Sequence, residues 1–181
     1  MKFGYLLGYV NLFCVGLLAG SAFTFVLGLC PIMENLSISS YVEFHQALEG
    51  SFSCKLPALY GGTLLLLAFT LFIKRKSWRT LTFALVVCAF LCIADELIMT
   101  VNGSSPLGKS IQAWQVQQLP QDWVEVRVQW LRFIYWRAAL LVSAFILLLI
   151  STGLNSWSKF PGDAVDVWEQ RPGGHKKPVN F

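Results

Sequence analysis

The chain has 181 residues, of which 55% are hydrophobic and only 13% charged, with a formal net charge of +4 and a mean hydropathy of +0.57. Soluble globular domains carry about 25% charged residues, so a chain this apolar and this short cannot cover itself with polar surface, and a water-soluble globular enzyme is excluded. The slight positive charge sits beside apolar blocks, not in a basic, aromatic-interleaved stretch, and gives no reason to expect a nucleic-acid partner.

The first block, Phe3 to Met33, contains no Asp, Glu, Lys, Arg or His. A bilayer core of about 30 Å needs about 20 apolar residues as helix, so this block predicts a first span over about 3–30. A cleaved signal peptide is the alternative reading, but the block is far longer than a typical h-region of about 7–15 residues, and Lys2 is its only basic flank. Gly4, Gly8, Gly16, Ala19, Gly20 and Ser21 suit close helix packing, because small side chains let backbones approach in lipid.

The next segment, about 31–55, reads "SSYVEFHQALEGSFSC" over most of its length. Ser40 and Glu43 have capping-box spacing. Tyr41, Phe44, Leu48 and Phe52 recur at helical spacing and Gly50 is a stop signal, which predicts a short amphipathic helix at the membrane surface. Cys30 and Cys54 bracket the segment and are a candidate disulfide in an oxidising compartment. Cys14, Cys88 and Cys92 fall inside spans and read as small apolar packing residues. The absence of a CxxC pair argues against a membrane thiol oxidoreductase.

A second span is predicted over about 56–74, followed by the basic turn "KRKSWR" and a third span over about 78–101. This third span carries Asp95 and Glu96 near its far end. The stretch "VNGSSPLGKS" is rich in helix breakers. In "QDWVEVRVQWLRFIYWR", Trp123, Val126, Trp130, Phe133 and Ile134 share one face, with Gln121 or Asp122 as a cap. That pattern predicts an amphipathic helix leading into a fourth span over about 133–156, which carries Arg137. Residues 158–181 have the mixed charge, Pro and Gly of a flexible tail.

With four spans, the termini and the middle turn share one side. That side holds Lys2, Lys74, Arg75, Lys76, Arg79, Lys159, Arg171, Lys176 and Lys177, against Lys55, Lys109, Arg127 and Arg132 on the other. The bias places both termini in the cytoplasm. Asn35-Leu36-Ser37 and Asn102-Gly103-Ser104 then face outward, making Asn35 and Asn102 candidate glycosylation acceptors. The expected fold is all-α: a multi-pass four-transmembrane-helix bundle, residues 1–157, with short amphipathic helices capping its outer, non-cytoplasmic side and a cytoplasmic tail at 158–181.

Asp95 and Glu96 lie roughly 8–9 Å inside the membrane at 1.5 Å per helical residue. Ionised groups there cost a few kcal/mol, and Arg137 sits at a similar depth on the fourth span. Adjacent helical residues point about 100° apart, so only one acid can face Arg137 squarely. Three readings stay open: an ion pair that fixes helix register, a proton-handling or ligand site formed by Asp95, Glu96, Arg137 and His45, and a metal site. No ligand spacing supports the third, and no metal or other cofactor is expected.

Four stretches carry a family resemblance over about residues 5–152: "GLLAGSAFTF" followed by Pro31, "FHQALEG", "MTVNGSSPLGKSIQAW" and "QDWVEVRVQWLRFIYWRAAL". In this order they resemble the anthrone oxygenase-like family of small four-helix membrane proteins. Thr100, Pro106, Leu107, Trp114, Trp130 and Arg137 match its pattern; Gly108 stands where the family usually has Asn, and Ile134-Tyr135 where it has Asn or His. The resemblance implies oxidation of an anthrone to an anthraquinone by molecular oxygen, without a recognised metal or flavin. It implies Asp95, Glu96 or His45 as base and Arg137 as the group that steadies an enolate oxygen. The expected partners are membrane lipids and a small apolar aromatic ligand. The alternative is a non-catalytic tetraspan, an accessory or scaffold subunit that binds another membrane protein or a second copy of itself.

Overall fold

The computed structural model describes residues 2–52, 55–115 and 119–157; Cys54 and the predicted tail, 158–181, lie outside them. The described residues form an all-helical chain of α1 (Lys2–Thr24), α2 (Cys30–Asn35), α3 (Ile38–Phe52), α4 (Lys55–Lys74), α5 (Leu81–Met99), α6 (Ser105–Gln112) and α7 (Trp123–Trp157). Wide π-helical turns, Phe25–Leu29 and Thr100–Ser104, join α1 to α2 and α5 to α6. Four helical stretches are long and apolar enough to cross a membrane: Gly4–Asn35, Pro57–Ser77, Leu81–Gln112 and Trp123–Asn155. Their outward faces carry Leu6, Phe13, Leu65 and Phe72, all more than half exposed, and a helix that is apolar all round belongs in lipid or a large core.

The first and third stretches run past the ends expected near residues 30 and 101 because the prolines do not break them. A helical proline has no N–H, and its ring strikes the carbonyl four residues back. Widening the preceding turn shifts that carbonyl aside. The Cys30 amide donates to the Phe25 carbonyl just before Pro31, and the Ser105 amide donates to the Thr100 carbonyl just before Pro106. Both sites share a Val-x-Gly-x-x-Pro pattern, Val26 to Pro31 and Val101 to Pro106. Neither wide turn is expected from the sequence reading, and π-turns of this kind frequently mark functional sites.

α3 starts earlier and ends later than expected. The Tyr41 amide donates to the Ser37 carbonyl at 2.8 Å and the Ser40 amide to Ser37 Oγ at 3.4 Å, so Ser37 rather than Ser40 supplies the cap. Gly50 does not stop the helix, which continues to Phe52. The expected surface helix and fourth span form one 35-residue helix, α7, begun by the Val126 amide donating to the Asp122 carbonyl at 3.1 Å.

α7 packs along both α5 and α1, and α4 completes the ring with sparser contacts to each. The central core takes Val15, Leu18 and Ala19 from α1, Leu67 from α4, Ala89 and Ile93 from α5, and Leu141, Ala144 and Leu148 from α7. One end of the bundle holds the chain terminus and the Lys74–Thr80 turn, where Ser151 Oγ donates to the Thr82 carbonyl and Asn11 Nδ2 donates to Thr70 Oγ1 at 2.6 Å. At the other end a second core joins Met33, Tyr41, Val42, Ile111, Trp114, Trp130 and Leu131, so α2, α3 and α6 roof the bundle over the start of α7. Arg127 pins this roof: its guanidinium donates to the carbonyls of Met33 and Leu36, where a cation suits the negative end of α2, and it lies 5.0 Å from the Tyr41 ring centroid.

Glycine does less helix packing than the small-residue stripe of the first span suggested. A Cβ on Gly4, Gly8 or Gly20 would meet nothing within 4 Å, whereas one on Gly16 would sit 3.1 Å from the Phe145 ring. The tightest approach is in the second wide turn, where a Cβ on Gly103 would lie 2.6 Å from the Phe133 ring. Gly103→Ala should therefore displace that ring and cost about 1–3 kcal/mol by overpacking, read as a lower thermal midpoint in detergent. Adding Phe133→Leu should recover most of the loss, while Gly153→Ala, where the new methyl meets open space, should stay within about 0.5 kcal/mol.

Candidate functional site

Beneath the roof, α5 turns one carboxylate inward. Glu96 is fully buried, on the same ridge of α5 as Ala89 and Ile93, which Thr100 continues into the wide turn. An uncompensated charge there would cost many kcal/mol, and Glu96 Oε1 is met by donors from three helical segments. Arg137 Nε on α7 lies at 2.6 Å, Tyr60 Oη on α4 donates at 3.1 Å, and Thr100 Oγ1 donates at 3.1 Å. Glu96 Oε2 has no protein hydrogen-bond partner. Arg137 spends a second donor on Ser104 Oγ at 3.4 Å.

Arg137, Tyr60, Thr100 and Ser104 line a cavity of about 790 Å³ together with Phe25, Trp130, Ile134, Leu141, Lys109 and His45. This volume falls within the roughly 300–1,000 Å³ of small-molecule sites, as does the mix of apolar walls and a few convergent polar groups. His45 hangs into it from α3. The ring is 3% exposed, packs edge-on against Trp130 with centroids 4.7 Å apart, and neither Nδ1 nor Nε2 has a protein partner. Burial lowers its pKa to about 4, so the imidazole is neutral near pH 7 and offers one acceptor and one donor nitrogen. Beside it, burial outweighs the nearby Arg127 and pushes the Tyr41 phenol up to about 12, which keeps that hydroxyl protonated.

The structure thus brings together three of the four residues singled out in the sequence. Glu96 and Arg137 touch, and His45 lines the cavity that Arg137 lines. Asp95 is not among them: it lies on the outer side of α5, one helical step of about 100° from Glu96, and does not reach Arg137. Tyr60 was missed altogether, Ser104 entered only as part of a glycosylation triplet, and Lys109 was counted only for topology. Tyr60 had one sequence signal, a lone hydroxyl-bearing ring in an apolar span, and Thr100 another, standing four residues after Glu96 on the same helix face. The metal reading gains nothing: among the described residues no three His, Cys, Asp or Glu side chains gather closely enough to hold an ion.

Cys30 is buried with a free thiol, and its proposed partner Cys54 lies outside the described residues. Asn35 is exposed and donates to the Pro31 carbonyl at 2.8 Å, and Asn102 is exposed on the second wide turn. A smaller cavity of about 160 Å³ lies at the terminal end between Tyr5, Asn11, Thr70, Lys74, Ser151 and Asn155. No acid or imidazole lines it.

Comparison with protein-family models, with curated proteins and with solved structures returned no match. The likeness to anthrone oxygenases accordingly rests on residues of the chain alone.

Removing one member of a buried ion pair leaves an unpaired charge and costs about 3–5 kcal/mol, whereas replacing both can be nearly neutral. Glu96→Gln should lower the thermal midpoint strongly, Glu96→Gln with Arg137→Met should regain most of it, and Asp95→Asn should change it little. Differential scanning in detergent separates the three. The low pKa of His45 also sets a pH slope. Above about pH 6.5 the ring is neutral in folded and unfolded chains alike. Between about 6.5 and 4 only the unfolded chain takes up the proton, so stability is lost as pH falls through that window. His45→Gln should remove this component from the pH dependence of the melting midpoint.

Proposed function

We propose that this chain is a multi-pass membrane oxidase of the anthrone oxygenase type, which uses molecular oxygen to convert a ring methylene of a lipophilic aromatic ketone into a carbonyl. The observation that carries the reading is His45: a buried, neutral imidazole with both nitrogens unpartnered, lining one largely apolar cavity with an arginine. That combination supplies a base and an oxyanion donor in a site poor in water, where each acts more strongly than in bulk solvent.

In this scheme the substrate stacks among Phe25, Trp130 and Ile134 with its ketone oxygen toward Arg137. Glu96, Tyr60, Thr100 and Ser104 hold the guanidinium in place. His45 accepts a proton from the methylene carbon, and the electron pair left behind spreads onto the oxygen that Arg137 binds. The weak basicity of His45 is offset because the developing enolate and imidazolium form an ion pair in a low-dielectric pocket. Oxygen, which dissolves readily in hydrocarbon, takes the electrons and bonds to the carbon as a peroxide, to which His45 returns its proton. Loss of the second methylene proton with O–O cleavage yields the ketone and water. One CH2 and one O2 become one C=O and one H2O, so the balance requires no further electron donor.

The charge bias supports cytoplasmic termini, which sets the roofed end at the outer leaflet. The roof helix α3 supports an interfacial position, since Tyr41, Val42 and His45 are buried while Glu43 and Gln46 are exposed.

Purified protein in detergent, given anthrone in air, should consume oxygen and form anthraquinone in a 1:1 ratio. His45→Ala should slow this by about 10²–10⁴-fold, the span of general acid–base catalysis, and Arg137→Met should slow it comparably. Asp95→Asn should remain within about twofold. No oxygen uptake by the wild-type protein, or an undiminished rate in His45→Ala, would refute the proposal.

A further inference from the structure

We propose that this cavity fills sideways from the bilayer, through a slot between the roof-end halves of α1 and α4, and that its occupant is a flat aromatic amphiphile bearing one acidic oxygen. The inference rests on reading the cavity as the ligand site, and it concerns entry and charge selection, not turnover.

Helix packing walls three sides of the chamber, with Lys109 of α6 at an exposed rim. Gly16 against Phe145 and Gly103 against Phe133 bring α7 close to α1 and to the wide turn after α5. The roof core and the Gln46 Nε2 donation to the Gln112 carbonyl at 3.0 Å tie α3 to α6. The fourth side differs. α1 and α4 are clamped at the terminal end by Asn11 and Thr70, with Val15, Leu18 and Leu67 packed in the core between. Toward the roof they part. Gly20, Ser21 and Thr24 on α1 and Pro57 on α4 all line the cavity, and all four are exposed. A side chain added at Gly20 would meet nothing within 4 Å. The opening therefore lies in the flank of two helices apolar enough to span a membrane, so a molecule that passes it comes from lipid.

The charge on the cavity wall selects among lipophilic ligands. Arg137 is neutralised by Glu96, and His45 is neutral. Lys109 also lines the cavity and makes no ion pair among the described residues. The wall thus carries one uncompensated positive charge, at Lys109 on its exposed rim. An acidic hydroxyl or carboxyl on an aromatic body meets that charge and the guanidinium that Arg137 presents to the cavity.

The test uses anthraquinone-2-carboxylate, which is already oxidised and reports binding alone, with protein in lipid nanodiscs and Trp130 quenching as the signal (Trp130→Phe sets the background). Gly20→Cys tagged with a benzyl methanethiosulfonate should take up the probe at least tenfold more slowly than untagged protein, and reductant should restore the rate. Wild-type protein given the same reagent should be unaffected. Uncharged anthraquinone should bind at least tenfold more weakly than the acid, and Lys109→Gln should close that gap. Uptake insensitive to the tag, equal binding of acid and neutral probe, or no binding by wild-type protein would overturn the proposal. Normal uptake without anthrone oxidation would remove the oxidase reading and leave the entry route standing. Oxidation with tag-insensitive uptake would do the reverse.

Discussion

A carboxylate cannot be stripped of water inside an apolar bundle unless other groups replace that water, and the roofed half of this protein is organised around meeting that requirement for Glu96. Its Oε1 receives donors from α4, from the wide turn after α5 and from α7. The pair with Arg137 therefore sets the register of α5 on α7 and draws α4 toward both through Tyr60. Once Glu96 has compensated it, the guanidinium can face a largely apolar cavity without an isolated charge. The cavity keeps a hydrogen-bond donor where a hydrocarbon wall would otherwise stand.

The two wide turns serve the same end of the molecule. Each lets a spanning helix continue through a proline instead of ending at it. In doing so the first presents Phe25 and Leu29 to the cavity, and the second presents Thr100 and Ser104. A regular helix would keep these residues in the 3.6-residue rhythm of the core ridge. The widened turn rotates the helical segment beyond it, so that α2 and α6 pass into the roof and α3 can close over it carrying His45. Backbone irregularity at membrane depth is tolerated where it faces protein or a cavity, and each turn sets one face against α7.

Residues that meet at this end of the bundle could be singled out from sequence where a single residue's cost was large, but not where geometry had to choose between neighbours. Glu96, Arg137 and His45 were found because charged or titratable groups are rare in this chain and expensive in lipid. Asp95 carries the same charge one position away, and nothing in its composition distinguishes it. Only the azimuth of α5, set by Ala89 and Ile93 packing into the core, turns one acid inward and leaves the other on the outer side. Tyr60 and Ser104 were passed over as site residues because hydroxyls are cheap enough to be common in spans. Gly103 looked like a breaker because its role, making room for the Phe133 ring, involves a residue thirty positions away.

Composition and hydropathy were enough to expect the helical architecture of the described residues and its four stretches able to cross a membrane, because apolar length and the scarcity of charge are local properties that no packing can alter. They also determined that a few polar groups would need partners. Packing between distant residues settled which acid took the arginine, that two prolines would be absorbed by widened turns, and that a histidine far from the arginine in sequence would share its cavity. Those outcomes depend on how helices rotate and splay against one another. That rotation arises from contacts between residues distant along the chain, which no window of sequence contains.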